Sequence, residues 1–378
     1  MRINCIIGPF LPIPPLMGGA VERIFLALCT EWARQGHQVT MISRLYKDLP
    51  RRESTRNLTH LRLRSFNAPK SKLLYRLYDI LYAIRAARLA PPADITITHS
   101  VALPLVIPIS TAGRIYVSVA RYPKRHMWIY RRVHRLQAVS THIERAIQQQ
   151  SPSVAHLTRT IPNCVSAAFA KAITDVRHNR RKEIIFVGRI AREKGVEILI
   201  RAFLRASEKH PGWRLIIVGP SETRQGGDGA DYLDELKLLA SESPGEIEFT
   251  GPIFEEAKLI SRFQQAEVFV YPSIAAKGEA LPLAPIEAMA CGCVVVVSSL
   301  DCFNDYLKNG ENGYAFDEND SSGASLATIL CRLMESDSDR QKIAQRGIAT
   351  AREYAPSVIA RRFVEDFHHL LSLSSSKS

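Results

Sequence analysis

One rhythm occurs twice in this chain, and it restricts the fold more than any other feature. Residues 3–8 (INCIIG) read as a buried strand. A loop ending in Gly18 and Gly19 follows. An amphipathic helix then spans about 20–35, with Val21, Ile24, Phe25 and Leu28 on one face and Gly36 as its stop. A second strand follows at 37–43. Residues 183–188 (EIIFVG) start the pattern again with a strand, a loop at 189–195 (RIAREKG) and a helix. In that helix Val196, Leu199, Ile200 and Phe203 fall at i, i+3, i+4, i+7 spacing. Further strand patterns lie at 94–99, 114–120, 213–219, 247–250, 267–271 and 293–298, separated by helical patterns. Strands alternating with helices fold as doubly wound parallel sheets. The expectation is an α/β protein of two Rossmann-like domains, residues 1–168 and 169–356. A helix over 357–370 follows the second, and the polar residues 371–378 read as a disordered tail. The charge run at 177–182 (RHNRRK) reads as the end of a linker, and 224–230 (RQGGDGA) as a flexible loop.

Charge divides the chain as sharply as the rhythm does. Residues 1–171 carry 25 Lys and Arg against 7 Asp and Glu, a net +18; residues 172–378 carry 25 against 30, a net −5. Such a split suggests that the first half meets something anionic, with nucleic acid, an anionic membrane face and an acidic acceptor as candidates. Two segments concentrate the charge. Residues 70–89 form a helical pattern in which Leu73, Leu74, Leu77, Leu81 and Ile84 make a stripe beside Lys70, Lys72, Arg76, Arg85 and Arg88. The stripe can either pack on the sheet or meet a membrane. Residues 121–135 (RYPKRHMWIYRRVHR) thread Tyr122, Trp128 and Tyr130 through a basic run, which suits an anionic membrane surface. No uncharged apolar run reaches the roughly 18 residues of a membrane span, and the chain starts directly on a strand rather than a signal peptide. Seven cysteines form no disulfide framework, which favours a reducing compartment. Cys291 and Cys293 read as packing residues rather than metal ligands, since no second Cys or His pair matches their spacing.

The chemistry concentrates between Gly278 and Gly292, GEALPLAPIEAMACG. Glu279 lies just past the strand at 267–271. Glu287 lies in the first turn of a short helix that Gly292 would stop. Pro282 and Pro285 stiffen the turn and suit a helix entry. Ionised carboxylates suit polyhydroxyl ligands, because each accepts hydrogen bonds from two adjacent hydroxyls. Arg189 and Lys194, bracketed by Gly188 and Gly195, sit in the loop after the first strand of the second series. Doubly wound sheets bind ligands at such strand ends, and two cations there would clamp a diphosphate. Gly18 and Gly19 could likewise let backbone N–H groups approach a phosphate at a helix start, although a tight turn explains the pair as well.

Several short motifs then combine. Val187-Gly188-Arg189, Lys194-Gly195, Ile161-Pro162-Asn163, Val218-Gly219, Pro272-Ser273, the Glu279/Glu287 pair running into Ala288-Met289-Ala290-Cys291-Gly292, and Asn312-Gly313 together resemble the family-4 glycosyltransferases of GT-B fold. The similarity spans nearly the whole chain and is strongest over 183–316. The resemblance implies retaining transfer of a sugar from a nucleotide-diphosphate sugar to a hydroxyl of a glycan or lipid-linked acceptor, as in bacterial surface polysaccharide or lipopolysaccharide synthesis. It implies two domains facing a cleft, with the C-terminal helix crossing back to the first, and no bound metal or other cofactor. By position, Arg189 and Lys194 would hold the diphosphate, Glu279 the donor-sugar hydroxyls and Glu287 the ribose diol. Backbone at Gly188, Ala280 and Leu281 would face sugar or phosphate, that at Pro252 and Ile253 the base, and Gly18 and Gly19 the phosphate side of domain one. Two positions depart from the family. Ala280 and Pro282 stand where it usually has glycines, so Pro282 offers no backbone donor. Ala120-Arg121 stands where it often has a sugar-contacting His, which leaves His99 and His126 as candidates. The expected setting is the cytoplasm, peripheral on the inner membrane face. Rival readings are an epimerase or a phosphorylase on the same scaffold, the latter without a clear pyridoxal phosphate lysine. A non-catalytic nucleotide-sugar or RNA binder is a third, with nucleic acid the less favoured partner.

Overall fold

The computed structural model describes residues 1–173 and 180–375, which form two compact units. Arg177, His178 and Asn179 of the expected linker run, and 376–378 of the expected tail, lie outside the described residues. Unit 1 comprises Met1–Ser166 together with the chain from Pro356 onward; unit 2 is Ala167–Ala355.

Unit 1 begins with β1 (Arg2–Ile6), α1 (Ala20–Arg34), β2 (Gln38–Arg44), β3 (Arg52–Thr55) and β4 (Leu58–Leu63). It continues through α2 (Lys72–Leu89), β5 (Ile95–Thr98), α3 (Leu103–Val106), α4 (Ile109–Ala112), β6 (Arg114–Val119), β7 (Arg135–Ala138), α5 (Thr141–Gln150) and β8 (Thr158–Thr160). The strands lie in the order β3-β4-β2-β1-β5-β6-β7-β8, parallel except for the β3–β4 pair. Gly36 takes φ 90 just past α1, a conformation that glycine adopts without a Cβ penalty.

The face that α2 buries is not its leucine stripe. Asp79, Tyr82, Ala83, Ala86 and Ala87 point inward, while Leu73, Leu74 and Leu77 are exposed. Small alanines let the helix approach closely, and the Asp79 carboxylate accepts from Ser100 Oγ at 2.9 Å and Ala102 N at 3.1 Å. The basic segment 121–135 is also not uniformly outward. Met127–Tyr130 is a 3₁₀ turn with Tyr130 buried and Trp128 exposed, and Arg135 enters β7 as a buried side chain.

Unit 2 runs α6 (Ala167–Ala172), β9 (Arg181–Val187), α7 (Val196–Ser207), β10 (Arg214–Val218), α8 (Ala230–Ala240), β11 (Glu246–Gly251), α9 (Glu256–Gln265) and β12 (Ala266–Tyr271). It ends with α10 (Ala284–Ala290), β13 (Val294–Ser298), β14 (Tyr314–Phe316), α11 (Ala324–Glu335) and α12 (Asp337–Arg352). Its parallel sheet has the order β11-β10-β9-β12-β13-β14. The chain steps outward from β9 to one edge, then returns and builds from β12 to the other. The reversal point, where crevices open in such sheets, is therefore between β9 and β12. Both strands are buried on each face, as are all five residues of β13, VVVVS.

The last helix, α13 (Pro356–Ser375), belongs to unit 1. It runs past the expected end at 370, so 371–375 are helical rather than disordered. Neither glycine nor proline interrupts that stretch, and serine is tolerated in a helix. Asp366 is fully buried and pairs with both arms of Arg135 at 2.8 and 2.9 Å, while Tyr116 donates to it at 2.8 Å.

Candidate active site

The loops leaving β9, β10 and β11 are stitched together by backbone. Gly188 N donates to Val218 O at 3.0 Å, and Gly219 N donates to Gly251 O at 3.0 Å. A side chain on Gly219 would sit 1.7 Å from Gly188 O, so only glycine allows that approach. The expected base-reading residues Pro252 and Ile253 follow directly on Gly251. The 224–230 loop, expected to be flexible, is tied down as well. Asp228 N donates to Ile190 O at 3.1 Å, and the Asp228 carboxylate accepts from Arg192 N at 2.6 Å.

At the reversal point the β9 loop is clamped onto the end of β12. Gly195 takes φ 65, and a Cβ there would meet Pro272 O at 2.0 Å. Ile274 N donates to Glu193 O at 3.0 Å, and Ser273 Oγ lies 3.2 Å from the same oxygen. This clamp aims Lys194 inward. Its Nζ reaches the Tyr271 hydroxyl at 3.1 Å and pairs with Glu279 Oε1. The same oxygen accepts from Ser273 Oγ at 2.8 Å and Tyr271 OH at 3.0 Å. Lys194 and Glu279 are each only 6% exposed, so the two charges compensate one another where water cannot. Burial, and then the Glu279 charge, push the Tyr271 hydroxyl well above its usual range, so it stays protonated as a donor.

Arg189 occupies the same loop but a different environment. Its side chain is 42% exposed, held by Gly226 O and by Glu193 Oε1 at 2.7 Å. The expected pair of phosphate cations thus divides into a buried lysine committed to a carboxylate and an accessible guanidinium. Glu287 is half-buried in α10, and its amide donates to Leu283 O at 2.8 Å. Gly292 ends that helix with φ 81. Ala280 and Leu281 lie between Glu279 and α10, with Leu281 buried. Sequence reasoning misses Tyr271 and gives Ser273 no role beyond its place in the Pro272-Ser273 motif. Their signal is positional, two polar side chains at i and i+2 where the strand at 267–271 ends.

Unit 1 holds the remaining candidates at its own strand ends. Gly18 and Gly19 take φ 78 and 109, and Gly19 caps α1. A Cβ on Gly19 would overlap Glu22, a buried residue that sequence reasoning also missed. Burial raises the Glu22 carboxyl above its usual range. His99 follows β5, with Nδ1 buried and unpartnered among the described residues. Burial, and then the charge of Arg121, lower its pKa to about 4, so the imidazole is neutral at neutral pH. His126 is half-buried and opens the 3₁₀ turn. Among the described residues no group of three or more His, Cys, Asp or Glu is arranged to hold a metal ion. Cys291 and Cys293 are buried, and Cys293 Sγ donates to Phe263 O at 3.0 Å.

Two parallel sheets of this order, with loops gathered at the carboxyl ends of the strands, define the GT-B class. Sucrose-phosphate synthase from Thermosynechococcus elongatus matches with a TM-score of 0.76 at 18% identity, over 99% of this chain and 100% of that one. Anabaena HepE, solved in complex with UDP and glucose, matches with a TM-score of 0.69 at 17% identity, over 98% of this chain and 100% of that one. Identities this low speak for the fold alone. The family follows from sequence. The family model described as Glycosyltransferase Family 4 matches residues 17–169, and the one described as Glycosyl transferases group 1 matches residues 170–350. The chain belongs to the family-4 glycosyltransferases. A phosphatidyl-myo-inositol mannosyltransferase from Mycobacterium tuberculosis is 31% identical over 209 residues, covering 54% of this chain and 52% of that protein. The chain therefore spans about half the length of such curated relatives.

Proposed function

We propose that the protein is a retaining glycosyltransferase, moving a sugar from a nucleotide-diphosphate sugar to a hydroxyl of a glycan or lipid-linked acceptor. Surface polysaccharide or lipopolysaccharide synthesis is the setting that fits. The observation that carries this reading is the charged cluster at the reversal point of unit 2, with Lys194 and Glu279 paired over Tyr271 and Ser273 and Arg189 exposed in the same loop. Transfer breaks the sugar C1–O bond, and the electron pair leaves on the diphosphate. The acceptor oxygen bonds to C1 on the same face, and its proton passes to the departing phosphate. Arg189 meets the growing charge with a planar fork, and Lys194 meets it as a point charge. Glu279 accepts from donor-sugar hydroxyls as its bridge to Lys194 loosens, while Glu287 accepts from the ribose diol. In this reading the diphosphate charge is met by side chains and no metal is used. The UDP and glucose of the Anabaena structure support the donor class, and the mannosyltransferase relative, by its name, supports a lipid-linked acceptor.

A thermal-shift panel of UDP-, GDP- and ADP-sugars tests the reading, since a ligand that binds only the folded state raises its melting temperature. One base series is expected to stabilise the wild type. Arg189→Ala should abolish that shift while melting normally without ligand. NMR of the transferred sugar should show the donor's anomeric configuration. If no nucleotide sugar shifts the melting temperature, the assignment falls; an inverted product would remove only the word retaining.

A further inference from the structure

We propose that α2 and the α3–α4 segment of unit 1 form a platform that docks on an anionic phospholipid bilayer. The inference goes beyond the transfer reaction and does not depend on it. Leu73, Leu77 and Ile80 follow one another at i, i+4, i+7 along the outward side of α2, and Leu73 is 77% exposed. Val101, Leu105 and Ile109 emerge from the next segment, with Leu105 and Ile109 each 58% exposed. The two sets share a buttress. The inward Asp79 carboxylate accepts from Ser100 Oγ and Ala102 N, so the helix and the start of α3 are fixed to each other from beneath. Monomeric proteins scatter exposed apolar side chains singly, whereas a gathered set marks a surface that meets something.

Charge identifies the partner. Residues 100–113 contain no charged side chain. Lys70, Lys72, Arg76, Arg85 and Arg88 are all exposed along and beside α2, and its only acidic residue, Asp79, faces inward. Lys72 and Arg76 each precede a leucine of the outward row, which sets cations at the rim of an apolar strip. That arrangement matches the boundary between acyl chains and phosphate headgroups, where leucines enter and ammonium or guanidinium groups stay with the anions. The 3₁₀ turn Met127–Tyr130 of the same unit adds an aromatic side chain. Its Trp128 is half-exposed, with the Arg131 guanidinium 5.7 Å from the ring centroid, a pairing suited to the headgroup layer. Among the described residues no helix is long and apolar enough to cross a membrane, so the platform lies in the interface plane.

Flotation of the full chain with vesicles of phosphatidylcholine, alone or mixed with phosphatidylglycerol, tests the platform. The wild type is expected to float only with the anionic mixture and to be released by high salt. Leu73→Glu with Leu77→Glu, and separately Leu105→Glu with Ile109→Glu, should lower partitioning on the order of tenfold or more for each side chain withdrawn. Both double variants should keep the wild-type melting temperature, which separates loss of docking from loss of fold. Of the three tryptophans Trp32 and Trp213 are buried, so a blue shift of emission on adding anionic vesicles would report Trp128 entering the interface. The proposal is overturned if the wild type stays unbound with anionic vesicles, or if the glutamate variants float as well as it does. It is also overturned if light scattering shows a dimer that these variants disperse without any change in lipid binding, which would assign the surface to a second copy. Nucleotide-sugar shifts, measured in parallel, keep a failure of docking distinct from a failure of the donor reading.

Discussion

Lys194 and Glu279 are each tolerable inside unit 2 only because the other is there. Removing one strands a buried charge, so Lys194→Met is expected to cost about 3–5 kcal/mol of stability. Adding Glu279→Leu to it should recover most of that loss, because the second charge goes too, while nucleotide-sugar binding stays lost. Urea titration with the thermal-shift panel checks both halves. Arg189→Ala, at a half-exposed side chain, should change stability by less than about 1 kcal/mol. Residue types and spacing made all three positions legible as candidates. They could not show that two of them neutralise each other, because Tyr271 and Glu279 meet Lys194 only through the strand order, 77 and 85 residues along the chain. His99 carries a pH prediction. Its pKa is lowered from an ordinary 6.5 to about 4, so between those values the unfolded chain binds a proton that the folded one refuses. About 3 kcal/mol of stability present above pH 6.5 is therefore lost as pH falls to 4. His99→Gln should flatten that part of the stability–pH curve relative to wild type; unchanged slopes would place the titration elsewhere.

Elements were easier to read than the direction in which they face. Apolar periodicity placed α1 and α2 within two residues of their observed ends, since helix length is written in local spacing and capping. The inward face of α2 is set by Asp79 finding Ser100 and Ala102, a tertiary bond that no window of sequence contains. The same limit applied to α13, whose pattern resembles any amphipathic helix until Asp366 is seen beneath Arg135 and Tyr116. Asp366→Ala leaves the Arg135 guanidinium buried and should cost unit 1 about 3–5 kcal/mol, whereas Arg135→Met with Asp366→Leu should cost much less. Limited proteolysis checks this directly. Cleavage within 356–375 should appear early in the alanine variant and late in the double one.

At the scale of the whole chain, the twice-repeated strand–helix rhythm made two Rossmann-like bodies legible. The return of the last helix to the first body came only with the family resemblance, because nothing in its own pattern names a partner. The consequence is an asymmetry. Unit 2 is one unbroken run, Ala167–Ala355, while unit 1 is closed by a segment that follows unit 2 in the chain. Trp32 Nε1 donates to Ala360 O at 3.2 Å, and its ring lies 5.7 and 5.6 Å from those of Phe363 and Phe367. Tyr116 meets the same two rings. Fully burying each aromatic side chain contributes about 1.5–3 kcal/mol, so losing the helix removes an amount comparable with the ~5–15 kcal/mol of a whole domain. A fragment of residues 167–355 is therefore expected to melt cooperatively and to retain the nucleotide-sugar shift. Residues 1–166 alone should bind a hydrophobic dye and melt without a sharp transition, since Trp32, Tyr116 and Arg135 lose their cover. Supplying a peptide of residues 356–375 should restore cooperativity, and Asp366→Ala in that peptide should prevent it. Calorimetry of the three samples decides the matter: a sharp transition for 1–166 without the peptide would mean that the first sheet closes its own core.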